Sequence, residues 1–296
     1  MPRDGEWTEY ARVLFTGVCQ HLYEHGPREV GELYRLLVQT PIEELRTVVA
    51  GTVAEPAVAE SNERMFSSMR MVMATAVSSL DHLRKQRVAG LSIREWIREG
   101  RGGKAQGALF LPYSAAQIPA LRGILSTWLR LAIVETMEGA EGGQRIWFVI
   151  DELDALGTID GLKDALTRLR KFGGRCILGF QSIGLLRDLY GDGEARAIVE
   201  NCANTLILRC SASEGGGTAR FASQLIGQRE VLRTQTSSSK SRGAALGQDR
   251  DALSTTVRNV VEDAVMSSEI EQLADLVGYL KLASRPEWLL VRLPLS

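Results

Sequence analysis

The sequence predicts an α/β fold, in which a mostly parallel sheet is flanked by helices and preceded by an all-α domain. Residues 146–150 form a continuous apolar run that ends in two adjacent carboxylates, as expected for a strand buried on both faces of a parallel sheet. Strand-like and helix-like segments alternate after this run, whereas residues 5–87 show helical patterns without strand signals. We therefore expect an all-α domain over residues 1–88 and an α/β domain over residues 89–296.

The N-terminal region carries apolar residues at helical spacing. Trp7, Tyr10 and Leu14 begin the first helical pattern. Further patterns, separated by prolines, follow at residues 30–38, 42–49 and 62–83. Leucines and Trp128 then recur at helical spacing over residues 121–137, which predicts a core helix before the first strand.

The segments after the first strand continue the alternation. Residues 160–171 have the apolar spacing of an amphipathic helix and lead to two glycines. A second apolar strand, residues 176–180, ends in Gln181, and a helical pattern over residues 183–190 follows it. Residues 287–293 predict a last strand at the edge of the sheet.

One segment lacks apolar periodicity. Residues 234–254 are rich in Ser, Thr, Gly, Arg and Gln, so they predict a mobile loop. Lys240, Arg242 and Arg250 are available to contact DNA or phosphates, although a solvated charged loop is the simpler interpretation.

The overall composition is that of a globular protein. Of the 296 residues 45% are hydrophobic, and the formal net charge is −1, so any contact with DNA must be local rather than driven by a global basic field. The four cysteines form no CxxC pair and are interpreted as core residues in a reducing compartment. No run reaches the roughly 18 apolar residues of a membrane-spanning helix, so we expect the chain itself to be soluble.

The carboxyl ends of the two strands predict a functional site. Open α/β sheets bind ligands at this edge, and Asp151, Glu152 and Gln181 are expected to lie there about one strand spacing apart. In a Walker B strand, Asp151 would bind the Mg²⁺ that bridges the phosphates, and Glu152 would deprotonate the attacking water. Gln181 would sense the γ-phosphate. The alternative is a strand that stops at an exposed acidic turn, with Gln181 an ordinary polar strand end.

These segments resemble the nucleotide-binding domain of the conjugative coupling proteins of type IV secretion systems, the TraD-type family. The resemblance covers essentially the whole chain and is strongest from Leu91 onward. The segments that carry it are DELDALG, LTRLRKFGGRCILGFQSIGLLRDLYG, SQLIGQREVLR and SSEIEQLADLVGYLKLA.

In that family, a membrane-anchored hexamer with a RecA-like ATPase core couples ATP hydrolysis to the pumping of single-stranded DNA and its relaxase into the secretion channel. The resemblance therefore implies a RecA-like fold and ATP and Mg²⁺ as cofactors. The partners it implies are single-stranded DNA, the relaxase or relaxosome, and inner-membrane components of the secretion system. It also implies a location at the cytoplasmic face of the bacterial inner membrane.

The resemblance also implies a role for individual residues. Asp151 and Glu152 become the Walker B pair and Gln181 the sensor, while Arg170 falls where the family carries a basic residue that reaches the nucleotide of the neighbouring subunit. A charge that stabilises a helix C-terminus is the alternative role for Arg170. The all-α domain is implied to meet DNA or the relaxosome, and a helical bundle that caps the ATPase core is the alternative.

The sequence departs from the family at the phosphate-binding loop. A P-loop needs a glycine-rich turn, a lysine and a following Ser or Thr. The nearest segment, residues 100–105 (GRGGKA), lacks the upstream glycine and the hydroxyl after Lys104, and it is interpreted as a surface loop. We therefore expect the C-terminal portion of a coupling protein, from a split gene or a truncated reading frame. Without a Walker A region it should bind ATP and Mg²⁺ weakly and be inactive alone.

Three functions are compatible with these observations. The first is a fragment of a coupling-protein ATPase. The second is a nucleotide-free adaptor that binds relaxosome or secretion components, and the third is a HerA- or FtsK-like DNA translocase outside conjugation. The ordered match around GFQS and GYLKL favours the first function over the third.

Overall fold

Five α-helices lie in the described N-terminal part of the chain. They are α1 (Asp4–His25), α2 (Val30–Tyr34), which a π-helical turn (Arg35–Gln39) continues, α3 (Ile42–Val48), α4 (Glu63–Ala76) and α5 (Leu80–Arg84). Leu14 and Val18 lie one turn apart on α1 and are fully buried, together with Leu37 and Met69. The apolar stripe of each helix thus closes one core.

This structure is a computed structural model that describes residues 4–27, 29–85, 90–101, 107–211, 217–241 and 250–294. Its contacts divide the chain into two units. The first contains Met1–Ile146, Ala155–Asp160 and Lys171–Gly174, and the second contains Trp147–Asp154, Gly161–Arg170 and Arg175–Ser296. Within the described ranges, no helix combines the length and the apolar character that crossing a bilayer requires.

Two further helices belong to the first unit. They are α6 (Ile93–Arg101) and α7 (Ile118–Met137). The carboxylate of Glu135, whose side chain is almost fully buried, accepts hydrogen bonds from Arg94 at 3.0 Å and from Arg98. Arg122 of α7 donates to the Ala155 carbonyl at 3.0 Å. The described part of the lysine-containing segment predicted as a surface loop ends at Arg101, and residues 102–106 lie outside the described ranges.

The remaining elements include both helices and strands. The helices are α8 (Leu162–Arg168), which a 3₁₀ turn (Leu169–Phe172) follows, α9 (Ile183–Glu200), α10 (Gly217–Ile226) and α11 (Ser267–Glu271). The strands are β1 (Ile146–Ile150), β2 (Gly174–Leu178), β3 (Thr205–Ile207), β4 (Gln228–Ser241), β5 (Arg250–Asp263), β6 (Val277–Lys281) and β7 (Trp288–Arg292). These elements alternate between strand and helix from β1 to β4, after which β4 and β5, and later β6 and β7, follow one another directly. α9 continues past the predicted helical pattern of residues 183–190 and contains a kink at Gly191, where φ is 75° and ψ is 160°.

β1 and β2 form a parallel pair. The Ile146 amide donates to the Gly173 carbonyl at 3.2 Å, and the Gly179 amide donates to the Ile150 carbonyl at 2.9 Å. Because both partners advance along the chain in the same direction, the strands run parallel. The predicted α/β class is confirmed, and the parallel pairing lies where the sequence places it.

The sheet of β1 and β2 is covered on one face. Phe148 and Ile150 of β1 are buried, whereas Trp147 and Val149 are exposed, as is Ile177 of β2. The continuous apolar run of β1 predicted burial on both faces. The residues that the structure describes cover one face only.

A second sheet contains β3, β6 and β7. β6 lies in the middle and pairs antiparallel with both neighbours, so β7 forms an edge, as predicted for residues 287–293. Ile207, Ala219, Ala222 and Ile270 build a small buried core beside this sheet. The parallel arrangement is therefore confined to β1 and β2 among the described strands.

β4 and β5 pair with each other over 14 residues as an antiparallel hairpin. Residues 234–254 were expected to form a mobile loop, but residues 234–241 and 250–254 belong to these strands, and residues 242–249 lie outside the described ranges. Composition alone suggested a loop because the strands lack an apolar face at this end. Backbone pairing between two adjacent strands needs no such face.

Candidate functional site

Asp151 and Glu152 follow β1 directly. The Leu153 amide donates to the Gly179 carbonyl at 2.8 Å, so the hydrogen bonding between the two strands continues past the acidic pair. Asp151 is exposed and Glu152 is half-buried. Both carboxylates therefore lie at the carboxyl edge of the parallel pair, which is the edge where sheets of this class bind ligands.

Glu152 has an unusual backbone conformation. Its φ is 54°, in the left-handed region that residues other than glycine rarely adopt. The Glu152 amide donates to Oδ1 of Asp151 at 3.1 Å, which supports this turn. Backbone strain of this kind is concentrated at functional sites and costs on the order of 1 kcal/mol.

Gln181 lies beside Glu152. Its Nε2 atom donates to Oε1 of Glu152 at 3.2 Å, so the structure brings together the three residues that the sequence singles out at the strand ends. An amide and two carboxylates at this spacing can position a water molecule between them.

Gly179 makes the approach of the two strand ends possible. A Cβ atom at this position would lie 3.1 Å from Oδ1 of Asp151, closer than ordinary van der Waals contact. A side chain here would push the aspartate aside. The sequence analysis did not assign a role to this glycine, although it is the first residue of the GFQS segment.

The start of α9 fixes the position of Gln181. Ser182 caps this helix, because its hydroxyl accepts a hydrogen bond from the Gly184 amide at 3.2 Å. The Ile183 amide donates to the Thr218 hydroxyl at 3.3 Å. Thr218 is 35 residues away along the chain, and no local sequence pattern identifies it.

Asp154 is a second feature that the sequence analysis missed. Its Oδ1 atom is buried and has no hydrogen-bond partner among the described residues. A buried polar atom without a partner is unfavourable.

Arg170 does not join the cluster. It is exposed and lies in the turn before β2, whereas Gln181 follows β2. The five residues of this strand separate them, which corresponds to about 16 Å. Arg170 therefore lies at the opposite end of β2 from the acidic pair.

The carboxylates are better suited to Mg²⁺ than to a metal ion whose ligands all come from the protein. Mg²⁺ is commonly held by one or two carboxylates, with water and phosphate oxygens as the other ligands. The exposed Asp151 offers such a ligand. Over the described ranges, no group of three His, Cys, Asp or Glu side chains is arranged to hold a metal ion.

The match to a family model covers almost the whole chain. Residues 2–294 match the model of the type IV secretion-system coupling protein DNA-binding domain. The chain is 30% identical over 284 residues to coupling protein TraD of Escherichia coli K12. It is 36% identical over 118 residues to the coupling protein VirD4 of Bartonella quintana. These matches favour a coupling protein over a HerA- or FtsK-like translocase.

Solved structures of the plasmid coupling protein TrwB resemble the fold. TrwB in complex with a non-hydrolysable ATP analogue superposes with a TM-score of 0.78 and 29% identity. TrwB in complex with ADP and Mg²⁺ gives the same TM-score and identity. The RecA-like class expected from the resemblance is confirmed by this match.

The matches cover this chain more completely than they cover its relatives. The match to TraD includes 94% of this chain and 38% of TraD, and the match to VirD4 includes 39% of this chain and 18% of VirD4. The matches to the two TrwB complexes include 99% of this chain and 64–65% of the TrwB chain. The chain belongs to the type IV secretion-system coupling protein family.

Proposed function

We propose that this chain supplies the magnesium-binding and water-activating half of a coupling-protein ATPase that moves single-stranded DNA and its relaxase into a secretion channel. The observation that carries the proposal is the hydrogen bond between Gln181 and Glu152 at 3.2 Å, next to Asp151 at the carboxyl edge of β1. The family match and the nucleotide complexes of TrwB support it.

Each side chain has a distinct role in this proposal. Asp151 holds Mg²⁺, which neutralises charge on the phosphates when bound. Glu152 accepts a proton from the water that attacks the γ-phosphorus in line, while the bond to the leaving diphosphate oxygen breaks. Gln181, fixed by its bond to Glu152, orients this water toward the γ-phosphoryl group.

Arg170 acts at a different nucleotide. Its position at the opposite end of β2 from its own carboxylates and its exposure support a contact with the nucleotide of a neighbouring subunit in a ring, which we propose to be a hexamer. A guanidinium there stabilises negative charge that develops on the γ-phosphoryl oxygens. Assembly and hydrolysis are coupled in this way.

The sequence lacks the lysine and hydroxyl of a P-loop, so the chain by itself should turn over ATP very slowly. The test is ATP hydrolysis, with and without single-stranded DNA, by this chain and by a chimera that joins it to the part of TrwB without a counterpart here. DNA-stimulated hydrolysis by the chimera alone is the expected result. A chimera that binds nucleotide but does not hydrolyse it would contradict the proposal.

The missing P-loop also favours a second function, a nucleotide-free adaptor that binds relaxosome or secretion components. The all-α layer, formed by the helices α1 to α5, is its candidate binding surface. Relaxase binding by this chain that is unchanged by ATP and by replacement of Glu152 would support the adaptor. Binding that depends on both would support the ATPase.

A further inference from the structure

The hairpin of β4 and β5 is open to solvent on both faces. Among the described strands, its two strands pair only with each other. Leu232, Val257 and Val261 share one face, with 70%, 59% and 62% of each residue exposed. A two-stranded hairpin is at best marginally stable by itself in water. An arm of this length with uncovered apolar side chains is therefore expected to bind a partner.

The base of the hairpin is held by the buried part of the chain. The hydroxyl of Ser223 in α10 donates to the Val265 carbonyl at 2.6 Å, and Ser223 is itself buried. The Ala264 amide donates to the Gly227 carbonyl at 2.9 Å. α10 belongs to the small core beside β3, β6 and β7. The hairpin is thus an arm with a fixed base and exposed faces.

The second face of the hairpin is rich in arginine. Alternate residues of a strand point to the same side, and the pairing places Arg229 opposite Glu262, and Arg233 opposite Arg258. The aliphatic pair Val231 and Val260 lies between these two pairs. Six residues therefore form this surface, named the arginine face: Arg229, Val231, Arg233, Arg258, Val260 and Glu262.

The charges of the arginine face are not balanced. Glu262 accepts hydrogen bonds from Arg229 at 3.2 Å and from Arg233 at 2.6 Å. Arg258, directly opposite Arg233, has no ion-pair partner among the described residues. Like charges directly opposite each other on a sheet are destabilising. An anionic group above Arg233 and Arg258 would lower this repulsion.

The composition of the hairpin favours a polypeptide over single-stranded nucleic acid as the anionic partner. Residues 228–263 contain no Phe, Trp or Tyr, and proteins that bind single strands commonly stack bases on such side chains. The centre of the arginine face is the aliphatic pair Val231 and Val260, which an apolar side chain would cover. Guanidinium groups bind carboxylates through paired hydrogen bonds.

We propose that the arginine face binds an extended acidic segment of a partner protein. Every second side chain of such a segment faces the hairpin. An acidic, an apolar and an acidic residue at alternate positions match Arg229, Val231 and Arg233 along β4, and Arg258 binds the second carboxylate from the neighbouring strand. The inference goes beyond the proposed function, because it concerns another surface and does not use the acidic pair after β1.

Peptide binding tests the arginine face. The probe is a fluorescent synthetic peptide that repeats Glu-Ser-Val-Ser-Glu, and its control carries Gln in place of Glu. Fluorescence anisotropy should show binding of the glutamate peptide to this chain and binding of the control peptide that is at least about tenfold weaker. Added salt should weaken the binding, because it screens exposed charges. Glu152→Gln should bind the glutamate peptide normally.

A charge reversal on the hairpin provides the second measurement. Arg258→Glu should weaken binding of the glutamate peptide at least about tenfold, because the change repels the probe and gives Arg233 a partner within the chain. It also replaces a like-charge pair by an opposite-charge pair, so the hairpin amides should be protected from hydrogen exchange at least as well as before. Arg292→Glu on β7 is the matched control at another exposed strand residue and should bind normally.

Four results would overturn the inference. The first two are equal binding of the glutamate and glutamine peptides, and undiminished binding by Arg258→Glu. The third is binding of a single-stranded oligonucleotide that is tighter than that of the peptide and depends on Arg258, which would assign the face to nucleic acid. The fourth is self-association of the chain that Arg258→Glu abolishes, which would assign the face to a second copy of the chain.

Discussion

The all-α layer and the sheet of β1 and β2 contain similar apolar side chains but enclose them differently. Leu37 and Met69 of the helical layer are fully buried, whereas Val149 and Ile177 of the sheet are more exposed than buried. The helical layer completes its own core. The sheet carries the candidate site and an open apolar face. Stability and proposed function are thus concentrated in different parts of the chain.

The largest expected effect concerns the site. Replacing Glu152 by Gln in the chimera with TrwB should lower ATP hydrolysis on the order of a thousandfold, because the amide cannot accept the proton of the attacking water. ATP binding, followed by a fluorescent analogue, should stay close to that of the unmodified chimera. Normal turnover in this variant would remove the role assigned to Glu152.

The helical core should show the largest effect on stability. Leu37→Ala should lower the free energy of unfolding by about 3 kcal/mol, since it removes a fully buried side chain and leaves a cavity. Val149→Ala is the matched control on the open sheet and should change it by less than about 0.5 kcal/mol. Urea unfolding of both variants measures the difference, and equal losses would show that the sheet face is covered in solution.

Replacing Arg170 distinguishes a role in the assembled ring from a role in local structure. Arg170→Ala should lower hydrolysis by the assembled chimera about a hundredfold, in proportion to the loss of one charge-stabilising group. The residual turnover of dilute, monomeric chimera should not change. An equal loss in the monomer would assign Arg170 a local structural role at the end of the α8 segment.

The smallest expected effect is a gain in stability at the site. Glu152→Gly should raise the free energy of unfolding by up to about 1 kcal/mol, because glycine adopts a φ of 54° without strain. Asp151→Gly, next to it and without a positive φ, should not stabilise the chain. Thermal unfolding compares the two, and a loss of stability in Glu152→Gly would show that the conformation is not strained.

Much of the site could be predicted because it follows from strand direction. Parallel strands end at the same edge, so the polar residues after the two apolar runs had to be close to each other. The left-handed conformation of Glu152 and the contact between Gly179 and Asp151 were not predictable. Both depend on how the backbone passes from strand to turn, which residue types alone do not specify.

The fold was predictable where apolar spacing is strong. The helices of the first unit and the strands β1, β2 and β7 carry such patterns. The hairpin of β4 and β5 was missed because residues 234–254 are polar, although their threonines suit extended backbone. The open face of β1 was also missed. A continuous apolar run predicts that both faces of the strand are buried, but it does not show which polypeptide covers each face.

The exposed indole of Trp147 gives this protein an intrinsic optical signal. It is the most exposed of the five tryptophans, all of which the structure describes. Its emission should resemble that of indole in water and shift to shorter wavelength when a neighbouring polypeptide excludes solvent from the sheet. A shift of the tryptophan emission of the chain toward shorter wavelength would therefore report when Trp147 becomes covered, without any attached dye.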